Sequence, residues 1–283
     1  MLDIAAWLTD SRRRFWAVPL VLIALGILVV LPADPAIGST LRSWGSRLGG
    51  DIRRAVETWQ QFGDVVSVIV IGVIILLLDP RGARRLPDLV AATGFTSLAA
   101  LVVKVSVGRP RPKYDDPFMF LWPGGVYPIT PRDGGPPVLA AAWESATRAE
   151  LWSMPSSHTS AAAALSVFVA TVYPRLRWLA VAMVAVVMAG RTMIGAPPAH
   201  WPSDVVIGAA IGWLIAGTVM RFGVGCGIVE AIGRMARGRT HAPSKASLGR
   251  PEGGARHEPA VDRRDSNVRE RPEIAVDAGR RDH

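Results

Sequence analysis

Apolar residues fall in long blocks along the chain, and the polar and charged residues are confined to the gaps between them. The blocks run Phe15 to Leu31, Val65 to Leu78, Leu89 to Val107, Ser160 to Tyr173, Trp178 to Ala196 and Val205 to Met220. A membrane-spanning helix needs about 20 mainly apolar residues, so the first, third, fifth and sixth blocks qualify directly. The second and fourth reach that length only by taking in Gln61 to Asp64 and Pro155 to Thr159. Six spans are therefore expected, in an all-α polytopic membrane protein.

Composition supports this reading. Of 283 residues, 50% are hydrophobic, yet Lys and Arg number 32 against 23 Asp and Glu, a formal net charge of +9. An ordinary soluble protein is excluded, and nothing in the pattern calls for nucleic acid. Basic residues near span ends stay preferentially in the cytoplasm. Arg12 to Arg14, Arg81 to Arg85, Arg175 with Arg177, and Arg221 with Arg234, Arg237 and Arg239 all fall on one side of a six-span chain. That places both termini in the cytoplasm of a multi-pass protein of the cell (inner) membrane. The opposite loops also carry cations: Arg42, Arg47, Arg53 and Arg54, then Arg109, Arg111, Lys113, Arg132 and Arg148. A cleaved signal peptide is the alternative for the first block, but Pro32, Asp34 and Pro35 crowd the cleavage region and favour a retained anchor.

Between the spans, the segment from Lys113 to Ser153 is rich in Pro and Gly and reads as turns. Its second half, Val138 to Trp152, alternates apolar and charged residues in a way that predicts a short interfacial helix. A second such helix is expected between Thr40 and Gln60, from Leu41, Trp44, Leu48, Ile52 and Val56. The membrane domain covers 1–236. After it, 237–283 is a mixed-charge stretch with few large apolar residues, expected to be a disordered cytoplasmic tail. Gly208-x-x-x-Gly212 permits close helix approach, most simply inside the bundle, and leaves the oligomeric state open.

Chemistry narrows to three polar clusters at span ends. The single cysteine, Cys226, rules out an intrachain disulfide and a cysteine-based zinc site. His241, His257 and His283 lie in the tail, leaving His158 and His200 among apolar segments, and no metal or other cofactor is called for. The first cluster is Lys104-Val-Ser-Val-Gly-Arg-Pro-Arg-Pro112, where a lysine sits within a span and arginines follow its end. The second, Trp152-Ser-Met-Pro-Ser-Ser-His-Thr-Ser160, opens a helix, whose free N–H groups and dipole favour a bound phosphate. The third runs from Gly190-Arg191 to His200 and Asp204, with the aspartate four residues after the histidine. Such a carboxylate would hold one imidazole nitrogen protonated and leave the other as a nucleophile. In the six-span count all three clusters lie on the outer face.

These motifs resemble the three-part signature of the type 2 phosphatidic acid phosphatase superfamily: Lys104 with Arg111-Pro112, then Pro155-Ser-Ser-His158, then Arg191 with His200 and Asp204. The resemblance covers about Phe62 to Phe222. It implies a six-helix membrane phosphatase that hydrolyses lipid phosphates or diphosphates without a metal, with its motifs at the extracytoplasmic ends of helices 3, 4 and 5/6. His200 corresponds to the attacking nucleophile, Asp204 to its orienting carboxylate, and His158 to the acid that protonates the leaving oxygen and then activates water. Lys104, Arg111, Ser156, Ser157 and Arg191 correspond to phosphate-binding positions. The chain departs from the signature in having Ser157 for a usual Gly, Gly190 for a usual Ser, and eight residues between Arg191 and His200 where the family has five. Arg109, without the spacing to Lys104, is set aside as a decoy or auxiliary cation. Polyprenyl diphosphate, phosphatidylglycerol phosphate and phosphatidic acid all fit as substrates. The alternatives are a phosphotransferase using the same chemistry and a catalytically silent lipid-binding or scaffold protein.

Overall fold

In the computed structural model, the described residues are 11–130, 134–144, 148–195 and 197–240. Each expected apolar block holds a helix. The first is α1 (Ser11–Leu25), extended by a π-helical stretch Gly26–Val30. α2 (Asp34–Arg47) and α3 (Gly50–Trp59) follow it, and a 3-10 turn, Gln60–Gly63, leads to α4 (Val65–Leu78). A short α5 (Pro80–Ala83) precedes α6 (Leu86–Val107). Then come two strands, a short α7 (Arg148–Leu151), α8 (Ser157–Val172), α9 (Arg177–Met193), α10 (Pro202–Phe222) and α11 (Val224–Thr240).

Among the described residues, three helical segments are long and apolar enough to cross a membrane: Leu86–Tyr114, Pro174–Met193 and Pro202–Phe222. Two more belong to bent pairs, α1 with α2 at 92° and the α3 segment with α4 at 72°, which raises the number to five. The bend between α3 and α4 means that Gln61 to Asp64 do not lengthen the second span. They form the 3-10 turn, and Asp64 accepts a hydrogen bond from Val65 N at 2.6 Å to start α4 afresh. α8, with 16 residues, is shorter than a usual span, and it begins at Ser157 rather than Pro155.

The shortness of α8 fits its place at the centre of the bundle, where Ala162, Ala164, Leu165 and Phe168 are fully buried. Small residues let backbones approach closely. A Cβ added at Gly212 would lie 2.2 Å from the carbonyl oxygen of Ser160, and one at Gly208 would lie 2.8 Å from that of Ser156. The Gly208-x-x-x-Gly212 pair is thus spent on packing α10 against α8 within the chain. Towards the other end of these helices, Leu165 and Phe168 meet Ile75, Leu89 and Met220.

α1 is part of this packing, since Gly26 lies directly against Ile207 of α10. The expected helix between Thr40 and Gln60 is present as α2 and α3, with Trp44, Ile52 and Trp59 more than half exposed. Exposed indoles and aliphatics among arginines suit a helix lying in the membrane interface.

The loop from Lys113 to Ser153 corrects two expectations. Val138 to Trp152 is not one helix: β2 (Val138–Ala141) pairs antiparallel with β1 (Val126–Ile129), Val126 opposite Ala141, and among its described residues only α7 is helical. Nor is the segment a mere run of turns, because Ala140, Ile129, Leu121 and Leu151 make a small buried core of their own. The pairing satisfies backbone groups that a lone amphipathic segment would leave to water. Lys113 and Glu150, 2.5 Å apart, close the loop at its base. At the other end of the chain, Gly223 ends α10 in the left-handed conformation (φ +59°), and α11 then runs to Thr240, past the expected start of the tail at 237. The remainder of that expected tail, from His241, lies outside the described residues.

Candidate active site

The three clusters converge. α6 ends at Gly108 with φ +57°, and there a Cβ would press on Ala142 and Leu121 at 2.9 and 3.0 Å. This turn sends Arg109-Pro-Arg-Pro112 across the end of the bundle, while Lys104, one turn earlier, remains buried and donates to the carbonyl oxygen of Trp152 at 2.7 Å. That bond uses one of the three donors of its ammonium group. Ser156 N donates to the carbonyl of Asp204 at 3.0 Å, tying the start of α8 to the first turn of α10. Ser156 is fully buried, Ser157 is exposed, and His158 is half-buried, within electrostatic reach of Arg191, Lys104, Arg111 and Asp64. The His158 turn is held from below by Gly63, where a Cβ would come within 1.9 Å of the His158 carbonyl oxygen.

Geometry assigns the His200 tautomer. Its Nδ1 lies 2.7 Å from the carbonyl oxygen of Ser153, an atom that can only accept. Nδ1 therefore carries the hydrogen and Nε2 keeps its lone pair. Asp204 was expected to make that contact, but its Oδ2 stands 3.8 Å from Nδ1. The carboxylate is occupied elsewhere: Oδ2 accepts from Ser153 Oγ at 2.5 Å and Trp201 N at 2.9 Å, and Oδ1 pairs with Arg109 at 2.6 Å. Ser153 thus contacts both residues, its carbonyl on His200 and its hydroxyl on Asp204. Burial holds His200 far below the ordinary imidazole range, at about 3, and the charge of Lys104 pushes the same way while Asp204 opposes it. It is neutral at physiological pH.

Arg191 faces the other side of the ring, with Nη2 3.5 Å from Nε2 of His200. The three extra residues do not separate the two, because the chain loops out and returns: His200 N donates to the carbonyl of Arg191 at 3.2 Å, and Gly195 (φ +108°) bridges to Pro198. Arg191 Nε is buried without a hydrogen-bond partner among the described residues. Buried N–H groups are nearly always paired, so a donor left over beside a histidine lone pair marks a place for an acceptor. Arg111 is half-buried at the same face, 3.5 Å from the carbonyl of Ala199. Gly190, which lacks the family's hydroxyl, is filled by Gln60: a Cβ there would meet Gln60 Cβ at 2.6 Å and its Oε1 at 2.9 Å.

Arg109 is not a decoy. It is fully buried, and its guanidinium donates to Asp204 Oδ1 at 2.6 Å, Ser203 Oγ at 2.8 Å, Asp34 Oδ2 at 2.7 Å and the carbonyl of Pro117. Asp34, also fully buried, accepts from Ser203 N and Oγ at 2.8 and 2.5 Å. One guanidinium between two carboxylates therefore joins the helix after α1, the turn after α6 and the start of α10. In the sequence Asp34 stands out only as a poor neighbour for signal cleavage. The available signal was an acid beside prolines, at a span end on the same side as the three clusters.

The model of the PAP2 superfamily matches residues 85–227, half of the chain. The chain belongs to this superfamily. It is accordingly a membrane enzyme of the lipid phosphatase class. A curated relative, the lipid A 1-phosphatase of Rhizobium etli, is 26% identical over 177 residues, which cover 57% of this chain and 67% of the relative. A crystal structure described as the first transmembrane PAP2-type phosphatidylglycerolphosphate phosphatase from Bacillus subtilis is similar over 77% of this chain and 95% of that one, at 19% identity and a TM-score of 0.47.

Proposed function

We propose that this PAP2 superfamily member removes phosphate from a lipid phosphate or diphosphate at the outer face of the membrane, through a phosphohistidine on His200. The observation that carries the reading is the His200 tautomer, with Nδ1–H on the Ser153 carbonyl and the Nε2 lone pair turned towards Arg191.

In this reading Nε2 attacks phosphorus, an N–P bond forms, and the P–O bond to the lipid breaks. The departing oxygen takes a proton from His158. Water then enters, gives a proton to His158 and displaces phosphate from His200, returning both rings to their starting states. Lys104, Arg111 and Arg191, with the first N–H groups of α8 at Ser156 and Ser157, hold the phosphoryl oxygens and stabilise the charge that builds on them. The unpartnered Nε of Arg191 is a donor that a phosphoryl oxygen would satisfy. Asp204, held by Arg109, places a negative charge 3.8 Å from Nδ1, where positive charge grows as the ring is phosphorylated. Polyprenyl diphosphate, phosphatidylglycerol phosphate and phosphatidic acid are the candidate substrates.

Six membrane crossings complete the proposal, with α1, α4, α6, α8, α9 and α10 as the spans. Both ends then lie in the cytoplasm of an inner-membrane protein, and the site faces outward. The arginines around 81–85, 175–177 and 221–237 support this orientation, since they fall together on the cytoplasmic side.

The test is phosphate release by the purified protein in detergent with excess EDTA, across the three lipids, beside His200→Ala. Release that survives EDTA and is lost in the variant supports the proposal. Release that needs an added metal, or that persists in the variant, overturns it.

A further inference from the structure

The segment from Glu150 to Ser153 forms a strap across the site. Its backbone bonds to the first and third clusters and runs directly into the second. Glu150 O accepts from Arg111 N at 3.0 Å, and Ser153 N donates to Arg109 O at 3.0 Å, so the strap pairs with the turn after α6. Trp152 O accepts from Lys104 Nζ at 2.7 Å, and the next carbonyl, that of Ser153, accepts from Nδ1 of His200 at 2.7 Å. Two consecutive carbonyls therefore hold the buried lysine and the histidine. The Trp152 carbonyl and the Ser153 N–H belong to one planar peptide unit, bonded on one side to Lys104 and on the other to Arg109.

The strap is also held from the hairpin side. Leu151 is fully buried in the small core that it forms with Leu121, Ile129 and Ala140, and Trp152 packs against the same core. The indole of Trp152 reaches further: Nε1 donates to the carbonyl oxygen of Ala142, just past β2, at 2.7 Å. Ala142 is itself buried, so this bond satisfies an acceptor that water does not serve. The side chain of Trp152 is thus fastened to the hairpin while its main chain, and that of the residue after it, hold the site.

We infer that Trp152 is a positioning residue: its indole, bonded to Ala142, fixes the strap so that Ser153 presents its carbonyl to His200 and Trp152 presents its own to Lys104. The inference rests on the phosphohistidine reading above. It gives the hairpin of β1 and β2 a part in the reaction, because the hairpin then sets the imidazole tautomer without touching the ring. With the strap loosened, the Ser153 carbonyl no longer selects the Nδ1–H form. A fraction of His200 then carries its hydrogen on Nε2, where no lone pair is left to attack phosphorus.

The experiment is NMR of the full-length protein in detergent with isotope-labelled histidine rings, read beside steady-state kinetics on a lipid phosphate. Long-range proton–nitrogen correlations tell the two tautomers apart, and His200→Gln identifies the His200 signals. The wild type is expected to show the Nδ1–H form. Trp152→Phe keeps an aromatic ring against the hairpin core and removes the N–H. It is expected to bring the Nε2–H form into the His200 signals and to lower kcat about threefold to tenfold, the worth of one hydrogen bond. Ile129→Val, a milder loosening that changes no bond of the strap, shifts both readouts the same way by less, and it decides the matter if Trp152→Phe does not fold. Trp143→Phe, at an exposed position beside Ala142, leaves both unchanged. His200 signals indifferent to these core variants, or a fall in kcat with the tautomer intact, overturn the inference. A tautomer shift in a protein whose wild type releases no phosphate keeps the positioning role and removes the hydrolytic reading. Phosphate release that is lost in His200→Ala, with a tautomer indifferent to Trp152, does the reverse.

Discussion

The carbonyl oxygen of Ser153 accepts the Nδ1 hydrogen of His200 at 2.7 Å, while Asp204 Oδ2 stands 3.8 Å from the same nitrogen. In a Ser-His-Asp triad, changing the aspartate to asparagine costs about 10⁴-fold in kcat because the imidazole takes the wrong tautomer. Here the backbone fixes the tautomer. Asp204→Asn is therefore expected to lower kcat by only about 10- to 100-fold, through lost charge stabilisation. Steady-state kinetics on a lipid phosphate check this, and a loss approaching that of His200→Ala would show that Asp204 orients the ring.

Arg109 is the structural partner of Asp204. Breaking a buried ion pair by removing one member costs about 3–5 kcal/mol, because the other charge is left uncompensated. Arg109→Ala strands both Asp34 and Asp204, so it is expected to lower stability in detergent by at least that much. Arg109→Lys cannot reproduce the fork that reaches both carboxylates. Asp34→Asn and Arg109→Gln are expected to be strongly non-additive in a double-mutant cycle of unfolding, and simple additivity would refute the coupling.

A pH dependence follows from the burial of His200. Its imidazole is held at about 3 in the folded protein, well below the unfolded value near 6.5. Below about pH 6.5 the unfolded chain therefore binds a proton that the native state refuses, and stability falls as the medium is acidified. The thermal midpoint of the wild type is expected to drop more between about pH 7 and pH 5 than that of His200→Gln. Equal slopes would mean that His200 titrates normally. By the same argument an acid limb of kcat/KM near neutrality does not belong to His200.

Gly190 supplies a compensation test. Restoring the family's serine there brings its Cβ to 2.6 Å from Gln60 Cβ. Overpacking of this kind costs about 1–3 kcal/mol. Gly190→Ser is expected to destabilise the protein, and adding Gln60→Ala to recover most of the loss. Melting curves of the single and double variants decide it. A serine that stabilises on its own would contradict the packing.

The helices were legible because long unbroken apolar blocks have few alternatives to a helix, and each block holds one. The three motifs were legible because they are local. What joins them was not. Ser153 does not stand out in the sequence, since its part is played by a carbonyl, and every residue has one. Arg109 lacked the familiar spacing, and Asp34 lies far from its partners in sequence, so neither stood out before the chain was folded. The eight residues between Arg191 and His200 depart from the family's five, but a count of residues says nothing about whether a loop returns. Val138 to Trp152 misled for a related reason: its alternation suits a strand as well as an amphipathic helix, and the deciding partner, Val126 to Ile129, lies earlier in the chain.

The most direct measurement is to stop turnover within the first cycle under alkaline conditions and map the phosphoryl group by peptide mass spectrometry. With a lipid phosphate as substrate, a single phosphoryl group is expected on His200. It should be absent in His200→Ala and accumulate in His158→Ala, provided the substrate's leaving group needs no proton. A phosphoryl group on another residue, or steady phosphate release without any phosphorylated protein, would contradict the account.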